Sequence, residues 1–174
     1  MDDYAKLTKP DTLTLERLLP GPVERIWAFL TESEKRARWL AAGPMGLFAG
    51  GAVTLEFHHN ELSEPGDTAP EYHADAEGAV LKGTVTRCEA PHLLAFTWGE
   101  GGSEVTFELT PEDNQVRLRV THQRLSDTEK TSVATGWHTH LAILVAELNE
   151  TTPPSFWALH TELEACYRKQ LSMN

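Results

Sequence analysis

Eight histidines in a chain of 174 residues raise two kinds of chemistry, because imidazole is both a common transition-metal ligand and the side chain that titrates nearest neutral pH. The obvious candidates are His58, His59, His73, His138 and His140. Their spacing argues against a preorganised centre. Adjacent His58 and His59 in an extended segment point to opposite faces, and His138 and His140 on a helix lie about 200° apart. Solvated or hydrogen-bonded imidazoles are therefore expected, with no metal ligand, no cofactor and no assigned catalytic residue. Cys88 and Cys166 have neither metal nor redox spacing and read as reduced thiols filling the core. No nucleophile motif or phosphate-cradling loop is present, and Gly99 to Gly102 reads as a hairpin turn.

His122 stands apart from the others. It closes a strand whose alternate residues Val116, Leu118 and Val120 must face inward, so it shares their face. The expected role is structural, hydrogen-bonded to a loop carbonyl or carboxylate; the alternative is orienting a bound molecule. Trp39, Phe57, Phe96, Trp98, Phe107 and Trp137, with Leu141 and Leu144, could ring an apolar cavity, and Glu56, His122 and His140 are its candidate polar groups. The same aromatics would equally serve as the largest fillers of a solid core.

These residues have to be positioned by a sheet and a long helix. From Trp137 the residues Leu141, Leu144 and Leu148 recur at helical spacing, with Val133 a turn earlier and Val145 widening the stripe. Strand patterns fill the region before it. Thr12 to Leu19 reads as a first strand stopped by Pro20-Gly21-Pro22. Val53, Leu55 and Phe57 then alternate with Thr54, Glu56 and His58, and further strands cover Val80 to Cys88, Leu93 to Trp98, Val105 to Leu109 and Val116 to His122. Between the first two strands, Val23, Ile26, Trp27 and Leu30 mark a helix, and Thr31 with Glu34 suggests a capping box for a second short helix through Trp39. Ser126 with Glu129 is a candidate box for the long helix, whose start Gly136 obscures. Pro153-Pro154 ends that helix, and Phe156, Leu159, Leu163 and Tyr167 define a last one. Asn60 to Gly78, acidic and broken by prolines, reads as a solvated mobile insertion that buries little.

The fold class is α+β, a long helix laid across an antiparallel sheet, with an extra terminal helix after it. One domain is expected over 1–174, with a core over about 12–150 and a helical extension over about 154–172. The balance of 15 Lys+Arg against 26 Asp+Glu, net −11, argues against nucleic acid and anionic membranes as partners, since both need clustered positive charge. No stretch approaches the roughly 18 apolar residues of a membrane span, and the first residues lack signal-peptide character, so a cytoplasmic protein is expected, as monomer or homodimer.

An ordered set of signatures narrows this: Pro22-Val23-Glu24-Arg25-Ile26-Trp27, Trp39, Gly50-Gly51, Gly83-Thr84-Val85, Pro91 to Trp98, Val116 to His122, and Gly136-Trp137. Together they resemble the homologues of the activator of the ninety-kilodalton heat-shock chaperone's ATPase, within the START-like (SRPBCC) superfamily. The resemblance implies the helix-grip fold, a curved antiparallel sheet wrapped around a long C-terminal helix, often with an apolar cavity between sheet and helix. It implies no single activity, since carriers, receptors, cyclases and stress-response chaperone regulators share the fold. Three readings remain open. The first is a non-enzymatic module holding a small hydrophobic or aromatic molecule. The second is a chaperone-binding domain, weakened because only about a dozen residues precede the first strand, too few for a further domain. The third is a cyclase- or hydratase-like enzyme using a cavity His or Glu.

Overall fold

The computed structural model describes residues 3–76, 78–100 and 102–172. Met1 and Asp2, together with Glu77 of the acidic segment and Gly101 of the glycine turn, lie outside the described residues. The chain runs β1 (Lys6–Lys9), β2 (Thr12–Pro20), α1 (Val23–Thr31), α2 (Ser33–Arg36), β3 (Ala52–Glu56), β4 (Val80–Glu89), β5 (Leu93–Thr97), β6 (Glu104–Glu112), β7 (Gln115–Gln123), α3 (Lys130–Leu148) and α4 (Phe156–Leu171). Two 3-10 turns, His59–Leu62 and Glu71–Ala76, interrupt the long connection between β3 and β4. All seven strands pair antiparallel in one curved sheet, in the spatial order β1-β2-β7-β6-β5-β4-β3, which is the helix-grip arrangement. No helix among the described residues is long and apolar enough to cross a membrane.

Alternation sets which side chains face the helices. In β7, Val116, Leu118, Val120 and His122 are buried, whereas Arg117 and Arg119 lie outward, where both pair with Glu16 of β2. Register carries the pattern across the sheet: Phe107 of β6 stands opposite Val120, and Val105 opposite His122. A period-2 strand with one covered face has only one register that buries all of these together. Gly83 answers a different constraint, since a Cβ there would lie 2.0 Å from the Thr97 carbonyl oxygen, so β4 can approach β5 this closely only with glycine.

α3 is buried more widely than a single stripe would require. Trp137, Leu141, Leu144 and Leu148 are covered, but so are Thr135, Thr139, Ile143 and Ala146. The helix is sandwiched, with the sheet on one side and α4 on the other, and so buries two faces. Thr135 and Thr139 tolerate this by donating their hydroxyls to the carbonyls of Thr131 and Thr135, each at 2.7 Å.

Several local expectations are corrected. β1 precedes the first expected strand; its polar Lys6-Leu7-Thr8-Lys9 shows no alternation, and pairing with β2 holds it in place. Thr31 caps nothing, because its hydroxyl donates back to the Trp27 carbonyl, and α2 begins after Glu32 without a side-chain cap. Ser126 and Glu129 do interact, the Glu129 carboxylate accepting from the Ser126 N–H at 2.8 Å, but α3 begins at Lys130 with Gly136 inside it. Arg36, unremarked in the sequence, is only 1% exposed and donates to the carbonyls of Leu30, Thr31, Ala41 and Gly43. Burial pulls its pKa down to about 10, still charged at neutral pH, and the guanidinium gathers the α1–β3 connection around itself.

The acidic segment is the largest correction. Instead of standing off in solvent, it is fastened along α4. The Asp67 carboxylate accepts from the Ala158 N–H at 3.0 Å and from the Ser155 hydroxyl, capping the positive end of that helix from a distant part of the chain. Asn60 accepts from the Trp157 indole N–H at 3.0 Å, Ser63 from the Trp157 backbone N–H at 3.2 Å, and His73 reaches Glu164 at 2.7 Å. Replacing residues 61–75 by a short glycine-serine turn should therefore lower unfolding free energy by on the order of 2–4 kcal/mol, from a lost cap and lost charge-assisted hydrogen bonds. Urea denaturation of the two proteins measures this, and an unchanged midpoint would show the segment to be a passive loop.

Candidate functional site

Between α3, the β4 end of the sheet, α4 and the fastened segment lies a partly open cavity of about 440 Å³. Each wall has a sequence reason for facing it. Ser132, Val133, Gly136, Trp137 and His140 come from α3 at three- and four-residue steps, one helix face. Leu81 and His122 come from the sheet, joined by Phe57 just beyond β3 and Trp98 just beyond β5; Phe156, Trp157 and His160 come from α4; His59 and His73 come from the 3-10 turns. The result is an aromatic chamber. Trp98 and Trp137 sit 5.3 Å apart between ring centroids, His59 stacks on Phe156 at 4.5 Å, and His73 stacks on Trp157 at 5.8 Å.

The structure divides the eleven residues suggested by the sequence. Phe57, Trp98, His122, Trp137 and His140 line the cavity. Trp39, Phe96, Phe107, Leu141 and Leu144 do not; all are at most 1% exposed and fill the solid core between helix and sheet. Trp39 is also tied structurally, its indole N–H donating to the Phe29 carbonyl at 2.8 Å. Glu56 is corrected outright. It is exposed, because it alternates with Leu55 and Phe57, whose side chains point inward.

His122 is fully buried and has both nitrogens engaged. The Trp137 indole N–H can only donate, and it reaches Nδ1 at 3.0 Å, so Nδ1 carries the lone pair. The proton is thereby placed on Nε2, which donates to Ser103 Oγ at 3.0 Å. The partners are an indole and a hydroxyl rather than the loop carbonyl or carboxylate expected. Burial drives the His122 pKa down to about 4, against a small opposing pull from Glu129, so the ring is neutral at physiological pH. His122→Ala leaves the Trp137 N–H without its acceptor and should cost about 1–3 kcal/mol in ligand-free protein, with His122→Gln recovering part. Chemical denaturation reads this directly; unchanged stability would remove the structural role.

His140 differs in having one nitrogen to spare. Its Nδ1–H donates to the Trp39 carbonyl at 2.7 Å, which leaves Nε2 as a lone-pair acceptor on a ring that lines the cavity. Burial, reinforced by neighbouring His59 and His160 against the Trp39 hydrogen bond, lowers its pKa to about 3. It is a weak base at neutral pH but an available hydrogen-bond acceptor. His160, lowered to about 4 chiefly by burial and also by His73, has its Nδ1 buried with no hydrogen-bond partner among the described residues.

The match to known families settles the lineage. The family model for the Activator of Hsp90 ATPase homolog 1-like protein matches residues 20–149, three quarters of the chain. The chain belongs to this family. The solution NMR structure of the protein encoded by gene BPP1335 from Bordetella parapertussis is 41% identical over 97% of this chain and 91% of its own, and superposes with a TM-score of 0.81. CalU16 from Micromonospora echinospora is 20% identical over 92% of this chain and 88% of its own, with a TM-score of 0.68. The Aha1 dimer from Colwellia psychrerythraea is 18% identical over 79% of this chain and 95% of its own, at 0.60. The last two show likeness of fold alone. A search of curated proteins gives no significant match.

Within the family's fold, the half of the cavity built by α4 and the acidic segment escaped sequence reasoning. The sequence pairs His59 only with its neighbour His58, offers His73 as a candidate without a partner, and gives His160 no part. One signal is legible: His160 and Glu164 follow Phe156 at four-residue steps on α4, along the flank of the apolar stripe through Leu159, Leu163 and Tyr167. Gly136 carried a second, since a glycine in mid-helix costs about 1 kcal/mol against alanine. A Cβ at Gly136 would meet nothing within 4 Å, so packing does not demand the glycine; it leaves the cavity open.

Proposed function

We propose that the protein is a binding module for a small hydrophobic or aromatic molecule, held between α3, the sheet and α4. The observation that carries this reading is the cavity of about 440 Å³ itself. Its size falls within the range of about 300–1,000 Å³ spanned by ligand pockets. Aromatic walls suit a flat apolar guest by stacking and edge contacts. His140 Nε2 supplies one directional contact, an acceptor for a ligand hydroxyl or N–H. A phenol-like molecule is the chemistry these groups fit best.

An acid–base enzyme has less support. Glu56 faces solvent, His122 is engaged at both nitrogens, and His140 holds a pKa of about 3, far from the near-neutral value that serves a general base. Chaperone regulation is carried by the family's name, which describes relatives and not a contact surface of this chain.

Titration with N-phenyl-1-naphthylamine, a neutral aromatic dye that brightens in apolar surroundings, tests the proposal. Wild-type protein should bind it saturably, and Gly136→Phe, which sets a phenyl ring in the cavity, should weaken binding by about tenfold or more while leaving the fold stable. Equal affinity for the two proteins would place the dye elsewhere and remove the support for the cavity as a binding site.

A further inference from the structure

Where α4 meets the acidic segment, His73, His160 and Glu164 each offer a ligand atom within 4.8 Å of the others. We propose that these three side chains form a site for a divalent transition-metal ion of the zinc type, at the α4 edge of the cavity. Two imidazoles and one carboxylate are a donor set that suits zinc and its neighbours over calcium or magnesium, which prefer all-oxygen shells. Three protein ligands also leave a coordination position open, and His73 and His160 both line the cavity, so that position is accessible from it.

The carboxylate is already oriented by an outer layer of contacts. Glu164 Oε1 accepts from Tyr72 Oη at 3.0 Å and from Arg168 Nη2 at 3.3 Å, which directs Oε2 to His73 Nε2 at 2.7 Å. Such outer hydrogen bonds hold ligands in place in metal sites generally. Burial would push the Glu164 carboxyl upward, but hydrogen bonds from His73 and Tyr72 outweigh it and the group is held ionised. His160 contributes the second observation: its side chain is buried, 7% exposed, and Nδ1 has no partner among the described residues. A buried polar atom left unsatisfied is costly, and an ion held by His160 through Nδ1 would satisfy it. Tetrahedral coordination with bonds of about 2.0–2.1 Å needs ligand atoms about 3.3 Å apart. From the present spacing the wider separations must close by about an ångström and the His73–Glu164 pair, now 2.7 Å apart, must open slightly, with the hydrogen between them moving off the ligating atoms.

The inference is independent of the apolar ligand, and its failure would leave that reading untouched. The test uses the full chain, stripped with chelator, in isothermal titration with zinc chloride and in visible spectroscopy with cobalt chloride. Wild-type protein should bind one equivalent of zinc with micromolar or tighter affinity and give cobalt d–d bands of low coordination number. His160→Ala and His73→Ala should each weaken zinc binding by about tenfold or more. His73 lies at the cavity margin, so His73→Ala decides the matter if His160→Ala fails to fold. Absence of zinc binding at tens of micromolar, or equal affinity in wild type and His73→Ala, would overturn the site and leave the cluster as a fastening between α4 and the segment over it.

Discussion

Shifting the protein from pH 7.5 to pH 5 should reduce its unfolding free energy by about 4 kcal/mol through His122 and His140, and by more in the same direction through His160, whose pKa burial also lowers to about 4. Unfolded, each imidazole binds its proton near 6.5; folded, burial postpones protonation to about 4 for His122 and about 3 for His140. Below pH 6.5 the unfolded chain therefore holds more protons than the native one. Stability is full above that value and falls as pH drops through the window between 6.5 and the folded pKa values. At pH 5 each group costs about 2 kcal/mol, since one pKa unit corresponds to about 1.4 kcal/mol. No compensating carboxylate lies against either ring strongly enough to reverse the sign: Glu129 acts weakly on His122, while His59 and His160 oppose a charge on His140. Urea titrations at the two pH values measure the difference. A stability flat between pH 7.5 and 5 would mean that one or both rings are hydrated or already charged in the native state.

Truncating Trp137 should cost about 3–5 kcal/mol, the usual range for emptying a large aromatic site. The side chain is 3% exposed and lies between sheet and helix, with its ring 5.3 Å from Trp98 and 5.7 Å from Phe107. Trp137→Ala removes these contacts and strips His122 Nδ1 of its donor. Trp137→Phe separates the two effects. It keeps most of the apolar volume and should recover more than half of the loss, leaving the cost of the unpaired imidazole. A shift below about 1 kcal/mol in the alanine variant would show that α3 does not press this face against the sheet.

Most of the sheet was legible because strands with one covered face announce it by alternation: Val116, Leu118, Val120 and His122 on β7 are buried as their spacing demands. Glu56 went astray because its chemistry outweighed a pattern that already set it opposite Leu55 and Phe57. The role of α4 was harder to read. Its contacts with the acidic segment join residues about ninety positions apart, such as Asp67 with Ala158 and His73 with Glu164, and no local period encodes such pairs. Composition misled there as well. A run of acidic residues and prolines resembles a free loop, yet here Asp67 meets a helix N-terminus, Asn60 an indole N–H and His73 the Glu164 carboxylate of α4. The cavity aromatics show the same limit in another form. Phe96 and Trp98 are both large aromatics two residues apart on one face, but only Trp98 reaches the chamber.

Native mass spectrometry of the protein purified from its own host tests most directly whether the cavity is a binding site. Wild-type protein should carry a population heavier than the bare polypeptide by the mass of one small organic molecule, released on collisional activation, and Gly136→Phe prepared in parallel should lack it. Bare polypeptide mass in both preparations, or the same adduct in both, would contradict the account.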